Sequence, residues 1–329
     1  MVSLFAASLV LSSSFLWGRP PSLRGTSWSR SMIGVFATQS ETPPRAAAAD
    51  FPSTFRKALL ALNENRLDAA QSLLESAARM QPRNPRVWLA LAQTYWKLHK
   101  PAQPALHNAE TYGASDTVVL SALPTLYFEI AQEDLNRQDF AAALTTLDAA
   151  IKRFPDNVQL QLATGVAYYG LRRFSEAIDA FLRTISLDPS VEQPYVFLGR
   201  MLDQAEDRLP RILSVFAAFE KNVPESYLAP FLTGKALALG NQPADAEAKL
   251  RRSIALNDAF WESHFELGAL LSSQRKWEAA AAEMRRAGGL NPKDAATHYH
   301  LARLYDRLGK PAEAQAERDL HARITAGMR

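Results

Sequence analysis

The sequence predicts an all-α solenoid of about eight stacked helix-turn-helix units, and three observations carry that prediction. A small residue recurs as Ala131, Gly165, Gly199, Gly234, Gly268 and Ala302 at intervals of 34, 34, 35, 34 and 34, with Ala92 and Ala58 extending the ladder upstream. Apolar residues flank each rung at helical spacing. Pro82, Pro155, Pro189 and Pro292 each close a unit, because a residue without a backbone N–H ends one helix where the next must start. A period of about 20 to 50 residues marks a fold in which no unit buries its own apolar face and each stacks on its neighbours.

The first helix of each unit carries the rung. Its stripe reads Trp88, Leu91, Ala92 and Tyr95, then Tyr127, Ile130 and Ala131, then Tyr195, Leu198, Gly199 and Leu202. Further along it reads His264, Leu267, Gly268 and Leu271, then His298, Leu301, Ala302 and Tyr305. A second helix follows, with stripes Ala70, Leu74 and Ala77, then Ala143, Leu147 and Ala150, then Ala177, Phe181 and Thr184. Ala246, Leu250 and Ser253, and Ala280, Met284 and Ala287, continue the series. Each stripe puts apolar or small residues on one side of a helix, as a stacked pair requires. The units fall at 51–84, 85–123, 124–157, 158–191, 192–226, 227–260, 261–294 and 295–328.

Three units depart from the pattern. The second takes 39 residues to reach its next rung, and Pro101, Pro104 and Gly113 predict a short second helix with residues 115–121 as extra connection. In the fifth, Arg211 stands beside Pro210 where other units have alanine, which predicts a splayed helix pair. In the last, Arg318 and His321 replace stripe residues among Glu317, Asp319 and Arg323, as suits a terminal cap facing water.

These residues resemble the tetratricopeptide repeat, whose pattern is an aromatic-x2-Leu-small-x2-aromatic first helix, an Ala-x3-apolar second helix and a closing proline. The resemblance covers roughly residues 51–328. It implies a right-handed superhelix whose first helices line a groove for a protein or peptide partner, without a cofactor. By register the exposed side of those helices presents Phe55, Leu59 and Leu62, then Arg86, Leu89, Gln93, Trp96 and Lys97, then Phe128, Gln132 and Asn136. It continues through Gln159, Leu162 and Tyr169, then Gln193, Arg200, Asp203 and Gln204, then Phe231 and Lys235. Glu262, Phe265 and Ser272 follow, and Tyr299, Arg303, Asp306 and Arg307 complete the face. Aromatic and arginine anchors interleaved with amides suit an extended or helical peptide. Packing between neighbouring helices is the competing role for each aromatic. Two specialised relatives differ. The lysine, asparagine and arginine clamp of chaperone-tail binders is replaced by Phe55, Leu59 and Ala90, and the asparagine row of sugar-transferring relatives by residues such as Arg56, Glu129, Phe197 and His300.

The 329 residues carry a net charge of +3, with a pI near 9.1. Residues 1–50 hold four arginines against Glu41 and Asp50, leaving 33 basic and 32 acidic residues elsewhere. That balance lacks the concentrated positive excess of a nucleic-acid binder. Absence of cysteine excludes disulfides and thiolate chemistry. No G-x-S-x-G, P-loop or H-E-x-x-H occurs, so no enzyme is expected. His298 and His300 lie two residues apart on a helix and point away from each other, and His264 and His298 occupy aromatic stripe positions, so no metal site is expected.

Residues 1–50 lack the repeat and read as a targeting segment plus linker. Residues 1–17 are apolar with serines, and Arg19, Arg24 and Arg30 follow without an acid before Glu41. The expectation is an exported, periplasmic or membrane-anchored protein, although an export signal carries its charge before the apolar run rather than after it. The alternatives are an organelle transit peptide and an over-extended start or disordered tail of a cytoplasmic protein. The expected function is a non-enzymatic scaffold or adaptor binding its partner in the groove. The alternative is a structural subunit of a larger envelope biogenesis or secretion assembly.

Overall fold

In the computed structural model the described residues are 50–327, so the targeting segment expected before them lies outside the description. Sixteen α-helices and two short 3-10 turns run through the described residues, with no strand among them. The chain divides between Asp188 and Pro189 into two compact units. The first contains α1 (Phe51–Asn63), α2 (Leu67–Met80), α3 (Pro85–Lys97), α4 (Gln103–Tyr112), α5 (Thr117–Asn136), α6 (Phe140–Arg153), α7 (Val158–Gly170) and α8 (Phe174–Leu187). The second contains α9 (Gln193–Arg200), α10 (Leu209–Asn222), α11 (Leu228–Leu239), α12 (Pro243–Leu256), α13 (Trp261–Ser273), α14 (Trp277–Leu290), α15 (Ala295–Arg307) and α16 (Pro311–Gly327). Within each unit the odd-numbered helices neighbour one another and form one face. No described helix is long and apolar enough to cross a membrane.

Local chemistry sets where these helices begin and end. Asp50, Asn84, Asp116, Asp139, Asn157 and Asp294 accept backbone N–H groups in the first turns of α1, α3, α5, α6, α7 and α15, each worth about 1 kcal/mol. The turns inside the helix pairs share one geometry. Asn65, His99, Gln138, Arg172, Asn241, Arg275 and Gly309 all adopt positive φ, between 54° and 69°. The next residue then donates its N–H five residues back, as Arg66 does to Ala61 at 2.8 Å and Lys276 to Leu271 at 3.0 Å. This closes each first helix by satisfying its last carbonyls.

At the small-residue ladder the paired helices approach closely. Ala58, Ala92 and Ala131 are fully buried. A β-carbon at Gly165, Gly234 or Gly268 would stand 2.6 Å from Phe181, 2.8 Å from Leu250 and 2.8 Å from Met284, in each case the residue sixteen positions on. Gly199 breaks the rule. Its β-carbon would meet Leu232 of α11 at 2.3 Å instead.

That exception belongs to the splayed fifth pair. α9 has only 8 residues, and two 3-10 turns, Leu202–Gln204 and Glu206–Arg208, replace the usual positive-φ turn. α9 and α10 lack the close pairing of the other helix pairs. Tyr195 fills the gap, its ring stacked 4.2 Å from Phe219 and tilted against Phe216 at 6.5 Å. The polar last helix is also as expected, since Ala314 is its one buried residue and Arg318 reaches Asp306 at 2.6 Å.

The insertion in the second repeat differs from expectation. α4 is short, at 10 residues, but residues 117–121 are helix rather than connection. They lengthen α5 to 20 residues because Asp116 caps the Val118 and Val119 N–H groups and Val119 is completely buried.

Candidate functional site

A recurrent latch fixes the first helices. Trp88, Gln161 and Tyr195 donate side-chain N–H or O–H groups to the carbonyls of Pro82, Pro155 and Pro189, six residues earlier, at 2.7, 2.8 and 3.0 Å. His264 Nε2 and His298 Nε2 contact the Asp258 and Pro292 carbonyls in the same way, at 3.2 and 3.1 Å. Since a carbonyl only accepts, Nε2 carries the hydrogen in each ring. Nδ1 then faces Glu283 at 2.7 Å in one and Glu317 at 2.6 Å in the other. These histidines tie helix pairs together, and the described residues contain no cluster of three or more metal-ligating side chains.

In the first unit the odd-helix face is partly filled by its own packing. Phe55 is 3 % exposed and Gln93 4 %, and Leu59, Leu62, Leu89 and Leu162 are also buried. The expectation that register alone exposes them is therefore corrected, because neighbouring odd-numbered helices cover that part of the stripe. Phe55 stacks on Phe51 at 5.6 Å, and Gln93 Oε1 is buried without a hydrogen-bond partner. Trp96, Phe128, Gln132 and Tyr169 are half-buried, whereas Lys97 and Asn136 are exposed. Trp96 Nε1 donates to Glu133 at 2.7 Å, and Glu133 also pairs with Arg137 and with His99. Tyr169 meets the edge of Phe174 at 6.0 Å. Burial pushes the Glu129 carboxyl above its ordinary value, against the attraction of Lys97.

Beside this face lies an open cleft of about 720 Å³, lined by Phe51, Phe55, residues 81–86 and Asp116. Arg86 Nε bonds Asp116 at 2.7 Å on its wall. Burial alone would raise the Asp116 carboxyl, but Arg86 and the Val118 and Val119 N–H groups outweigh it and hold it below its ordinary value.

In the second unit aromatic rings cross the corresponding face. Phe231, only 8 % exposed and so also buried against expectation, meets Phe260 edge-on at 5.0 Å, and Phe260 lies 4.8 Å from Tyr227. Phe265 is half-buried between Trp261 at 6.2 Å and His300 at 5.5 Å. Tyr299 is exposed, 5.6 Å from His300. Cations sit over these rings, with Arg200 5.9 Å above Phe197, Lys235 5.9 Å above Phe231 and Arg303 5.7 Å above Tyr299. Lys235 also pairs with Glu266 at 3.2 Å, and Arg307 is exposed. Glu262, at a face position in the sequence, has a more specific environment. Its carboxyl is half-buried with Oε2 lacking a partner, and burial, aided by Asp294, raises it above the usual range. Burial and then Arg303 lower the His300 imidazole.

Two models of the tetratricopeptide-repeat family match the sequence, over residues 61–103 and 128–192. Over these residues the chain carries tetratricopeptide repeats. Solved structures similar to this repeat protein include PilW, a type IV pilus biogenesis factor, at TM-score 0.51 and 21 % identity over 59 % of this chain and 90 % of that one. PilF of Pseudomonas aeruginosa aligns at TM-score 0.49 and 16 % identity over 60 % of this chain and 90 % of its own. Yeast Tom70 aligns at 0.48 and 17 %, over 90 % of this chain and 65 % of its own. At 21 % identity the likeness to PilW is one of fold. No curated protein matches the sequence. The matching repeats support a protein-binding adaptor, and neither matching model describes an enzyme.

Proposed function

We propose that this protein is a non-enzymatic adaptor that holds partner-protein segments on the odd-helix face of each unit. The carrying observation is the chemistry of those faces. Half-buried Trp96, Phe128 and Tyr169 in the first unit, and Phe265 with exposed Tyr299 in the second, stand among polar and charged side chains. Even-helix stripes such as Leu74, Leu147, Leu250 and Met284 are fully buried in the pairs. Aromatic and arginine side chains at a partly dry surface supply most of the binding energy of a typical interface, and backbone amides of the partner satisfy the intervening polar groups.

A displayed random-peptide library tests this. The wild-type chain enriches a defined sequence class, and the triple variant Trp96→Ala, Phe128→Ala, Tyr169→Ala or the double variant Phe265→Ala, Tyr299→Ala loses part or all of it while the helical circular dichroism persists. Loss of helicity in both variants would instead assign these rings to packing. No enrichment by the wild type would reject the adaptor reading.

A further inference from the structure

Resting on that reading, we infer that the face of the second unit takes an extended acidic segment, with carboxylates set against Arg200, Arg303 and Arg307 and an apolar side chain against Phe265 and Tyr299. The cations of this face are unequally committed. Lys235 is held by Glu266 at 3.2 Å, and Asp306, the acid nearest in sequence to Arg307, is held by Arg318. Arg200, Arg303 and Arg307 are exposed and make no ion pair among the described residues. Two of them lie over aromatic rings, Arg200 over Phe197 and Arg303 over Tyr299. A guanidinium resting on a ring keeps its N–H edge available for bidentate contact with a carboxylate.

Glu262 supplies a second, independent observation. Its carboxyl feels the charges of Asp294, Arg200 and Lys235, and its buried Oε2 has no partner. A buried polar atom without a partner is costly unless a ligand satisfies it. A backbone N–H of the bound segment donates to that oxygen. The face thus combines exposed guanidinium groups with a hydrogen-bond acceptor. Four neighbouring helices about 9 Å apart span about 27 Å, which an extended segment of about eight residues covers at about 3.3 Å per residue.

Fluorescence anisotropy with the full-length protein tests the inference. The probe is a labelled peptide of alternating glutamate and leucine with one central tyrosine. Its comparators are the same peptide with glutamine or with lysine for glutamate, and an oligothymidylate of similar length. The glutamate peptide binds at least about tenfold more tightly than the other three, with an affinity that falls as salt rises. Arg303→Glu with Arg307→Glu weakens it by about tenfold or more while circular dichroism is unchanged. Glu262→Gln, which keeps an acceptor oxygen, stays within about twofold, and Glu262→Ala loses about fivefold. Tighter binding of the glutamine or lysine peptide, sensitive to Tyr299→Ala, would overturn the acidic inference and leave the adaptor reading standing. Tighter binding of the oligothymidylate would overturn the inference in favour of nucleic acid. No binding of any probe would overturn it too, and the library enrichment then decides the adaptor reading separately.

Discussion

Gly165 faces the Phe181 ring so closely that a β-carbon would stand 2.6 Å from one ring atom and 2.7 Å from the next. The rung is small because a rigid aromatic occupies the space. Gly165→Ala gains about 1 kcal/mol of helix propensity but forces the ring to move. The net expectation is a loss of about 1–2 kcal/mol, read from denaturant unfolding. Gly289, with nothing within 4 Å of its would-be β-carbon, is the control, and its alanine variant gains about 0.5 kcal/mol.

The positive-φ turns predict a stabilisation. Arg172 at 58° and Arg275 at 61° hold a left-handed conformation that costs a side-chain-bearing residue about 1–2 kcal/mol. Glycine removes that cost but adds about 0.4–1 kcal/mol of unfolded-state entropy. Arg172→Gly and Arg275→Gly should each raise stability by about 0.5–1 kcal/mol. Asn241→Gly should gain less, since asparagine tolerates this conformation.

Asp116 caps α5 and pairs with Arg86, so Asp116→Ala should cost about 1–2 kcal/mol at neutral pH. Because the folded-state carboxyl titrates below its ordinary range, its contribution is full above the unfolded-state value. It fades as pH falls through the folded-state value. The difference between wild type and variant in urea unfolding should therefore shrink on acidification below the usual carboxylate range.

Glu129 has the opposite sign. Burial raises its carboxyl, so ionisation at neutral pH works against the fold. Glu129→Gln should gain up to about 1 kcal/mol at pH 7. The gain disappears as pH falls through the raised value and the wild-type carboxyl protonates. Paired urea titrations at neutral and acid pH check it.

The repeat was legible because its rungs and prolines are direct steric demands, and steric demands leave a period in the sequence. The fifth pair was legible for the same reason, since Pro210 and Arg211 cannot make the usual close approach, and Tyr195 on Phe219 fills the gap they leave. The lengthened α5 was missed because Gly113 and Ser115 read as connection, while the Asp116 cap and the buried Val119 favour helix. The positive-φ turns were invisible in composition, as Gly309 is the one glycine among them. Helical register also could not separate Phe55 and Phe231, which neighbouring helices cover, from Tyr299, which they leave exposed. The six-residue latch did have a sequence signal. Trp88, Gln161, Tyr195, His264 and His298 all bear a hydrogen donor, at steps fixed by the repeat.

Site-specific photo-crosslinking in the native cell tests the adaptor account most directly. A photoreactive residue replaces Trp96 or Tyr299 on the odd-helix faces, and Thr145 or Arg251, exposed on the even-numbered helices, in parallel chains. The account predicts one discrete partner adduct from Trp96, Tyr299 or both, and none from Thr145 or Arg251. Adducts confined to Thr145 and Arg251 would contradict it and place the partner on the even-numbered helices.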